Sequence, residues 1–286
     1  MIFTLIEAPI ATGTTQKGMA LAPQRYREAG AAAALGVRGL DVRTVRVEPG
    51  QERDDLDAVA HGNSGLAAAV RRAADANSFP LVLGGACNVC LGSMAGLGAG
   101  RIGVVWLDAH GDFNTPETSQ SGYFDGMPLA VLTGRCHQEL RGRIGGEAVP
   151  EDRVLHIGAR HLDPEEGENL HGSGILVVPA EEIRGTGIPA SLRPALEKLE
   201  ARVDAVYLHL DIDVLDPAFA PAVNFPTPGG LSLEDLEETV RLVSEVMPLR
   251  AASLTAYDPT RDEDGTTLRT AIRVMEMIAA GAAQSW

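Results

Sequence analysis

The sequence predicts an α/β protein of three layers, with helices on both faces of a mostly parallel sheet. Three observations carry that prediction. Apolar runs of strand length alternate with helix-length segments along the whole chain. The run Arg101–Leu107 is apolar without alternation, as strands buried on both faces are. No repeat, low-complexity block or linker interrupts the order, so the 286 residues are read as a single domain, 1–286.

Taken in order, Met1–Ala8 reads as the first strand and the alanine-rich Ala20–Leu35 as a helix, delayed by Pro23. Asp41–Val47 is a second strand. Asn63–Ala74 is a helix with Asn63 or Ser64 as its cap. Pro80–Leu83 is a short buried strand, and LGGACNVCLGS (83–93) reads as its end, a tight glycine turn and the opening of a helix. After Arg101–Leu107 comes a helix starting in Gly126–Thr133. Arg153–Ile157 and Gly174–Val178 are strands, Ser191–Ala201 a helix and Ala205–Leu210 a strand. Ser232–Val246 is a helix capped by Ser232, with Asp235 in its acidic first turn. Ala251–Ala256 is the last long strand, and Arg269–Ala280 the closing helix.

Composition narrows the function. With Lys plus Arg at 24 against Asp plus Glu at 39, the net charge is -15 and no basic face for nucleic acid is evident. Such a balance suits a protein that keeps carboxylates for cations. Three cysteines, at 87, 90 and 136, do not make a disulfide scaffold. MIFTLIEAPIATG lacks a basic n-region and reads as a strand rather than a signal peptide. No run of about 18 apolar residues suggests a membrane span. The expected compartment is a reducing cytoplasm.

In open α/β sheets the chemistry lies beyond the carboxyl ends of the strands. Two such ends are crowded with acids. In VVWLDAHGDFN (104–114), Asp108, His110 and Asp112 follow a strand at two-residue spacing. In LHLDIDVLDP (208–217), Asp211 and Asp213 share a side, and His209 points the same way while the strand lasts. Carboxylates gathered at buried strand ends repel unless cations neutralise them. Oxygen ligands with some imidazole suit a manganese-like ion, and two ions sharing carboxylates would activate water. A single motif of either kind also reads as a solvated loop or turn cap; two together favour the metal. Cys87, just after Gly84 and Gly85, could complete the site, whereas Cys90 reads as core.

These stretches resemble the arginase–agmatinase family of dinuclear manganese ureohydrolases, over nearly the whole chain and in the family's order. GGACNVCLGS is similar to its GGDHSxxxGS block, LDAHGDFNTPETSQSGYFDGMPL to its DAHxD block, LHLDIDVLDPAFAPAV to its SxDxDxxDP block, and HIGARHLDPEE to a block carrying an outer aspartate. The resemblance implies an arginase-like fold. It implies metal A on Cys87, Asp108, Asp112 and Asp211, and metal B on His110, Asp108, Asp211 and Asp213. Water activated between them would attack a planar carbon bonded to nitrogen. Asp163 matches the outer carboxylate, and Asn114, Ser121 and Glu166 match positions that hold the amino-acid end of arginine. Trimers or hexamers are usual in the family, so a homo-oligomer is expected.

Departures from the pattern shape the expected function. Cys87 replaces a histidine ligand; its softer thiolate admits zinc beside manganese, the two divalent ions expected. Ala256 falls where the family has a glutamate that grips the guanidinium. Asp125 falls at the family's mobile histidine and is the expected proton carrier, with His161 a further candidate that also reads as a plain loop histidine. Tyr123 and Phe225 replace small polar residues and would narrow the pocket. His209, where the family often has serine, is a second candidate catalytic group, as a partner to Cys87 or to the metal site, or else an edge-of-core histidine. The expectation is a metal-dependent hydrolase of a C–N bond in a linear amide, amidine or guanidino compound other than free arginine. An agmatinase-like or substituted-guanidine hydrolase and a catalytically impaired metal-binding homologue are the alternatives. The expected partner is a small-molecule substrate, with no nucleic acid and no membrane.

Overall fold

The computed structural model describes residues 1–11, 18–37, 39–50, 55–98 and 100–285. Thr12 and Gly13, the end of the opening stretch, lie outside them. In chain order the elements are β1 (Ile2–Ala8), α1 (Ala22–Glu28), α2 (Ala31–Val37), β2 (Asp41–Arg46), α3 (Asp55–Asp75), β3 (Ser78–Gly84), α4 (Val89–Leu97), β4 (Ile102–Leu107), α5 (Pro128–Thr133), α6 (Gln138–Ile144), β5 (Val154–Ile157), α7 (Pro164–His171), β6 (Leu176–Val178), α8 (Ala180–Thr186), α9 (Ile188–Glu200), β7 (Ala205–Asp211), α10 (Leu233–Val246), β8 (Leu249–Thr255) and α11 (Thr266–Ser285). The expected class holds, and the described sheet goes further than "mostly parallel". Its eight strands, in the order β2-β1-β3-β8-β7-β4-β5-β6, pair in parallel throughout.

Strand alternation sorts the side chains into two layers of core. Val105 and Leu107 of β4 and Val206, Leu208 and Leu210 of β7 face the cluster that includes α9, α10 and α11. Val104, Trp106 and Tyr207 face the opposite cluster, under α4, α5 and α6. No helix among the described residues is long and apolar enough to cross a membrane.

The sequence reading needs four corrections here. Ala20–Leu35 is two helices, because Gly30 takes φ +77 and breaks the run. The helix placed at Asn63–Ala74 begins at Asp55, so Asn63 and Ser64 are not caps. Ser64 bonds back to Ala60 O at 2.7 Å, and Asn63 is fully buried. The short α6, α7 and α8 were absent from the reading; helices of about two turns carry too little periodicity to announce themselves. The strand placed at Gly174–Val178 is trimmed to Leu176–Val178. The cap at Ser232 stands: Ser232 Oγ accepts from Asp235 N, and the Asp235 carboxylate accepts from Ser232 N.

The topology decides where the chemistry can sit. β3, β8, β7 and β4 are consecutive in the middle of the sheet. Their registers pair Leu83 with Leu254, Asp211 with Thr255, and Leu107 with Leu210. One further residue along each strand brings Gly84, Thr255, Asp211 and Asp108 into one row at the carboxyl edge.

Candidate metal centre

Along that row the chain turns sharply. Gly85 is required where the loop from β3 passes residue 10: a Cβ there would stand 2.5 Å from Ile10 O. The turn delivers Cys87, whose Sγ donates to Asp211 Oδ2 at 2.9 Å and lies 3.4 Å from Thr255 Oγ1. After β4, Asp112 adopts φ 48, the left-handed region that few non-glycine residues enter and that aspartate enters more readily than most. Strain of that sort persists where surrounding contacts over-determine it.

Hydrogen bonds aim the ligand atoms. Asp108 accepts from His110 N at 2.7 Å and from the Trp106 indole N–H at 3.0 Å. Asp211 Oδ1 accepts from Asp213 N at 2.8 Å, which turns Oδ2 toward Cys87. Asp213 Oδ1 accepts from Ala109 N at 3.1 Å, and its Oδ2 lies 3.0 Å from His110 Nδ1. His156, buried behind the loop, bonds His110 O through Nε2 at 2.7 Å. Two groups of candidate ligands result. Cys87, Asp108 and Asp112 offer atoms all within 4.8 Å of one another, and so do Asp108, His110 and Asp213. Asp108 belongs to both.

The residues fit a divalent cation pair. Asp112 Oδ2 and His110 Nε2 are buried with no hydrogen-bond partner among the described residues. An orphaned carboxylate oxygen inside a protein is costly unless a cation takes it. The charges also conflict. Burial, then repulsion from Asp213, pushes Asp108 up to about 7. Burial and neighbouring aspartates likewise raise Asp112 and Asp211. Burial opposes charge on His110, yet Asp213 and Asp108 push it up to about 12. Against its own burial cost, Asp213 is pulled down to about 2 by His110. Burial and then Asp211 raise the Cys87 thiol, and burial and then Asp112 raise that of Cys90, so both favour the protonated form over a reactive thiolate.

A pH dependence follows from these shifts. Raised carboxyls and thiol hold protons that an entering cation must displace. Affinity for a divalent ion should therefore rise with pH through the Asp108 value of about 7. Each proton displaced adds about a tenfold gain per pH unit. Calorimetric titration between about pH 6 and 8 reads this slope, and a flat profile would contradict the ligand set.

The centre opens into a cavity of about 190 Å³. Asn114, Ser121, Tyr123, Asp125, Asp163, Glu166, Phe225 and Ala256 all line it, together with Cys87, His110, Asp112, Asp211 and Asp213. Glu166 and Asp163 form a capping box at the start of α7, and Glu166 Oε1 also accepts from Phe113 N at 2.9 Å. Asn114 Nδ2 donates to Asp163 at 3.1 Å. The Tyr123 and Phe225 rings stand 6.1 Å apart at the mouth, and Phe225 is 53% exposed. His161 reaches the cavity and meets His110 edge-on. Ala256 has φ 67 and joins Met19 and Ala86 in a small apolar patch.

His209 requires correction as a catalytic candidate. It is fully buried, stacked 3.8 Å from Trp106, with Nδ1 bonded to Ser253 Oγ at 2.9 Å, and is not part of the cavity wall. The β4–β7 register places it beside Trp106, one layer beneath the ligands, so its contribution passes through packing on Trp106.

Four residues escaped the sequence reading as parts of the site. Trp106 orients Asp108. Asn88 and Asn63 form a buried amide chain to Asp125, with bonds of 2.7 and 3.2 Å. Arg160 donates to the carbonyls of Asp213, Val214, Leu215, Gly158 and Thr227. Position alone carried a signal for Arg160, which lies between β5 and the Asp163 motif. Its targets, being main-chain atoms, left no trace in sequence.

Comparison with known proteins points to one family. The profile of the arginase family matches residues 2–281. The arginase of Bacillus caldovelox is 34% identical over 287 residues, covering 95% of this chain and 96% of its own. The arginase of Bacillus subtilis (strain 168) is 32% identical over 286 residues, covering 96% of each. The crystal structure of the arginase from Bacillus cereus superimposes with a TM-score of 0.90 at 32% identity, covering 97% of this chain and 98% of that one.

Proposed function

Because the chain belongs to the arginase family, we propose that it hydrolyses the guanidinium C–N bond of arginine, giving urea and ornithine. That it is a metal-dependent hydrolase of non-peptide C–N bonds follows from the family and the ligand cluster. The proposal corrects the expectation of an amide, amidine or agmatine-like substrate in place of free arginine, and with it the impaired homologue. Near-full-length relatives at 32–34% identity are arginases, and that outweighs the single missing carboxylate at Ala256. The observation that carries the proposal is the pair of ligand groups sharing Asp108 at the wall of one cavity.

In this reading Cys87, Asp108, Asp112 and Asp211 would hold one ion, and His110, Asp108, Asp211 and Asp213 the other. The ions would supply Lewis acidity and a nucleophile from water at neutral pH. Four carboxylates and one imidazole suit manganese, and Cys87 is the soft donor through which zinc would compete. Asn114 and Ser121 receive the amino-acid end at the mouth. Glu166, tied to Phe113 N and Asp163 N, holds the Asp112 loop against α7. Tyr123 and Phe225 close around the aliphatic stem and exclude water from it.

Protein loaded with manganese and dialysed free of excess ion should carry two ions per chain and release urea from L-arginine faster than from agmatine. Two bound ions with no urea from arginine would overturn the proposal.

A further inference from the structure

The cavity is rich in carboxylates, but most are committed. Asp108, Asp112, Asp211 and Asp213 belong to the ligand cluster. Glu166 and Asp163 cap α7 and bond each other's neighbourhood. Asp125 stands apart from both sets. It sits on the 3-10 turn Phe124–Gly126, is 7% exposed, and lines the cavity wall.

Its position is built from behind. Asn88 Nδ2 donates to Asp125 Oδ1 at 2.7 Å, and Asn63 Nδ2 donates to Asn88 Oδ1 at 3.2 Å. Asn63 in turn is fixed by Val59 O at 3.1 Å and by Gly92 N at 2.9 Å. Both asparagines are fully buried. Two buried amides spanning α3 and the start of α4 thus orient one carboxylate. Such an outlay of buried polar groups is favourable only when every member is satisfied, and it rigidifies what it holds. Elsewhere in the cavity, Met19, Ala86 and Ala256 form an apolar patch with no charge to offer a cation.

We propose that Asp125 is the specificity-determining carboxylate that pairs with the guanidinium of the substrate, its orientation set by the Asn88–Asn63 chain, while the apolar patch around Ala256 receives the flat face of that group. A planar cation and a carboxylate fit through paired N–H···O contacts. The proposal rests on the arginine reading and replaces the proton-carrier role expected for Asp125 from sequence.

The test is steady-state kinetics with L-arginine on the manganese enzyme, together with calorimetric binding of guanidinium chloride, for wild type, D125N and the double variant D125N/A256E. D125N is isosteric and keeps a partner for Asn88, and its metal content checks that the site is intact. The expected result is a KM for arginine and a Kd for guanidinium roughly 10- to 100-fold higher, the loss of a charge-assisted contact, with kcat changed much less. A256E in the D125N background should restore part of the affinity by returning a carboxylate to the cavity. Unchanged KM and Kd, with kcat lost and one limb of the pH profile removed, would overturn the anchor and assign proton transfer instead. Absence of urea from wild type would sink the arginine reading alone, since the guanidinium titrations still decide the anchor.

Discussion

Asp108→Asn should strip the protein of both metal ions and of nearly all arginine turnover. Asp108 lies in both groups of converging ligand atoms, and both of its oxygens are already oriented by donors, His110 N and the Trp106 indole. An amide there offers one neutral oxygen and turns an N–H toward one of those donors. The loss of affinity should exceed the roughly 10–100-fold that follows removal of an outer hydrogen-bond partner. The same substitution removes a charge that burial and Asp213 resist. The melting temperature of the metal-free variant, relative to metal-free wild type, should therefore rise as pH increases from 3.8 to about 7. Elemental analysis after dialysis and a thermal melt check the two halves. Retention of two ions with wild-type turnover would refute the assignment of the centre.

Arg160→Met is the second large effect, and it acts through main-chain carbonyls, that of Asp213 among them, rather than through a ligand side chain. One guanidinium ties the turn that carries Asp213 to the loop at Thr227 and to Gly158 at the end of β5. Removing it leaves several carbonyls short of a donor, at a cost of about 3 kcal/mol. For a chain of this size that lowers the melting temperature by roughly 5–10 °C. Lysine should recover only part, because its ammonium cannot span carbonyls that a planar fork reaches. The ion held by His110 and Asp213 should weaken more than its neighbour, since Asp213 O is among the carbonyls released. Unchanged melting and metal affinity would mean that the turn holds itself.

Much of the candidate centre was legible because its parts are short motifs at strand ends. Asp108, His110 and Asp112 follow one strand, and Asp211 and Asp213 close another. Acids crowded after apolar runs are improbable unless a cation uses them, so sequence alone could nominate them. His209 misled for the same reason. Its two-residue spacing from Asp211 is real, but on a strand that spacing puts it one layer deeper, stacked on Trp106. Ala256 misled differently. Absence of one carboxylate argued against a cationic substrate, yet the cavity holds Asp125, which lies on a turn far from Ala256 in sequence.

The sequence by itself determined the alternation of strands and helices, the parallel class of the sheet and the residue types at the ligand positions. These are local or short-range properties: strand burial, helix caps and motif spacing are written within a few residues. Only the tertiary structure decided which strand ends meet. The order β3-β8-β7-β4 and its registers set Cys87 against Asp211, Asp211 beside Asp108, and Asp125 on a buried amide chain from α3. Those contacts join residues 37 to 124 positions apart. No local propensity encodes them, because they exist only once the whole sheet has closed its core.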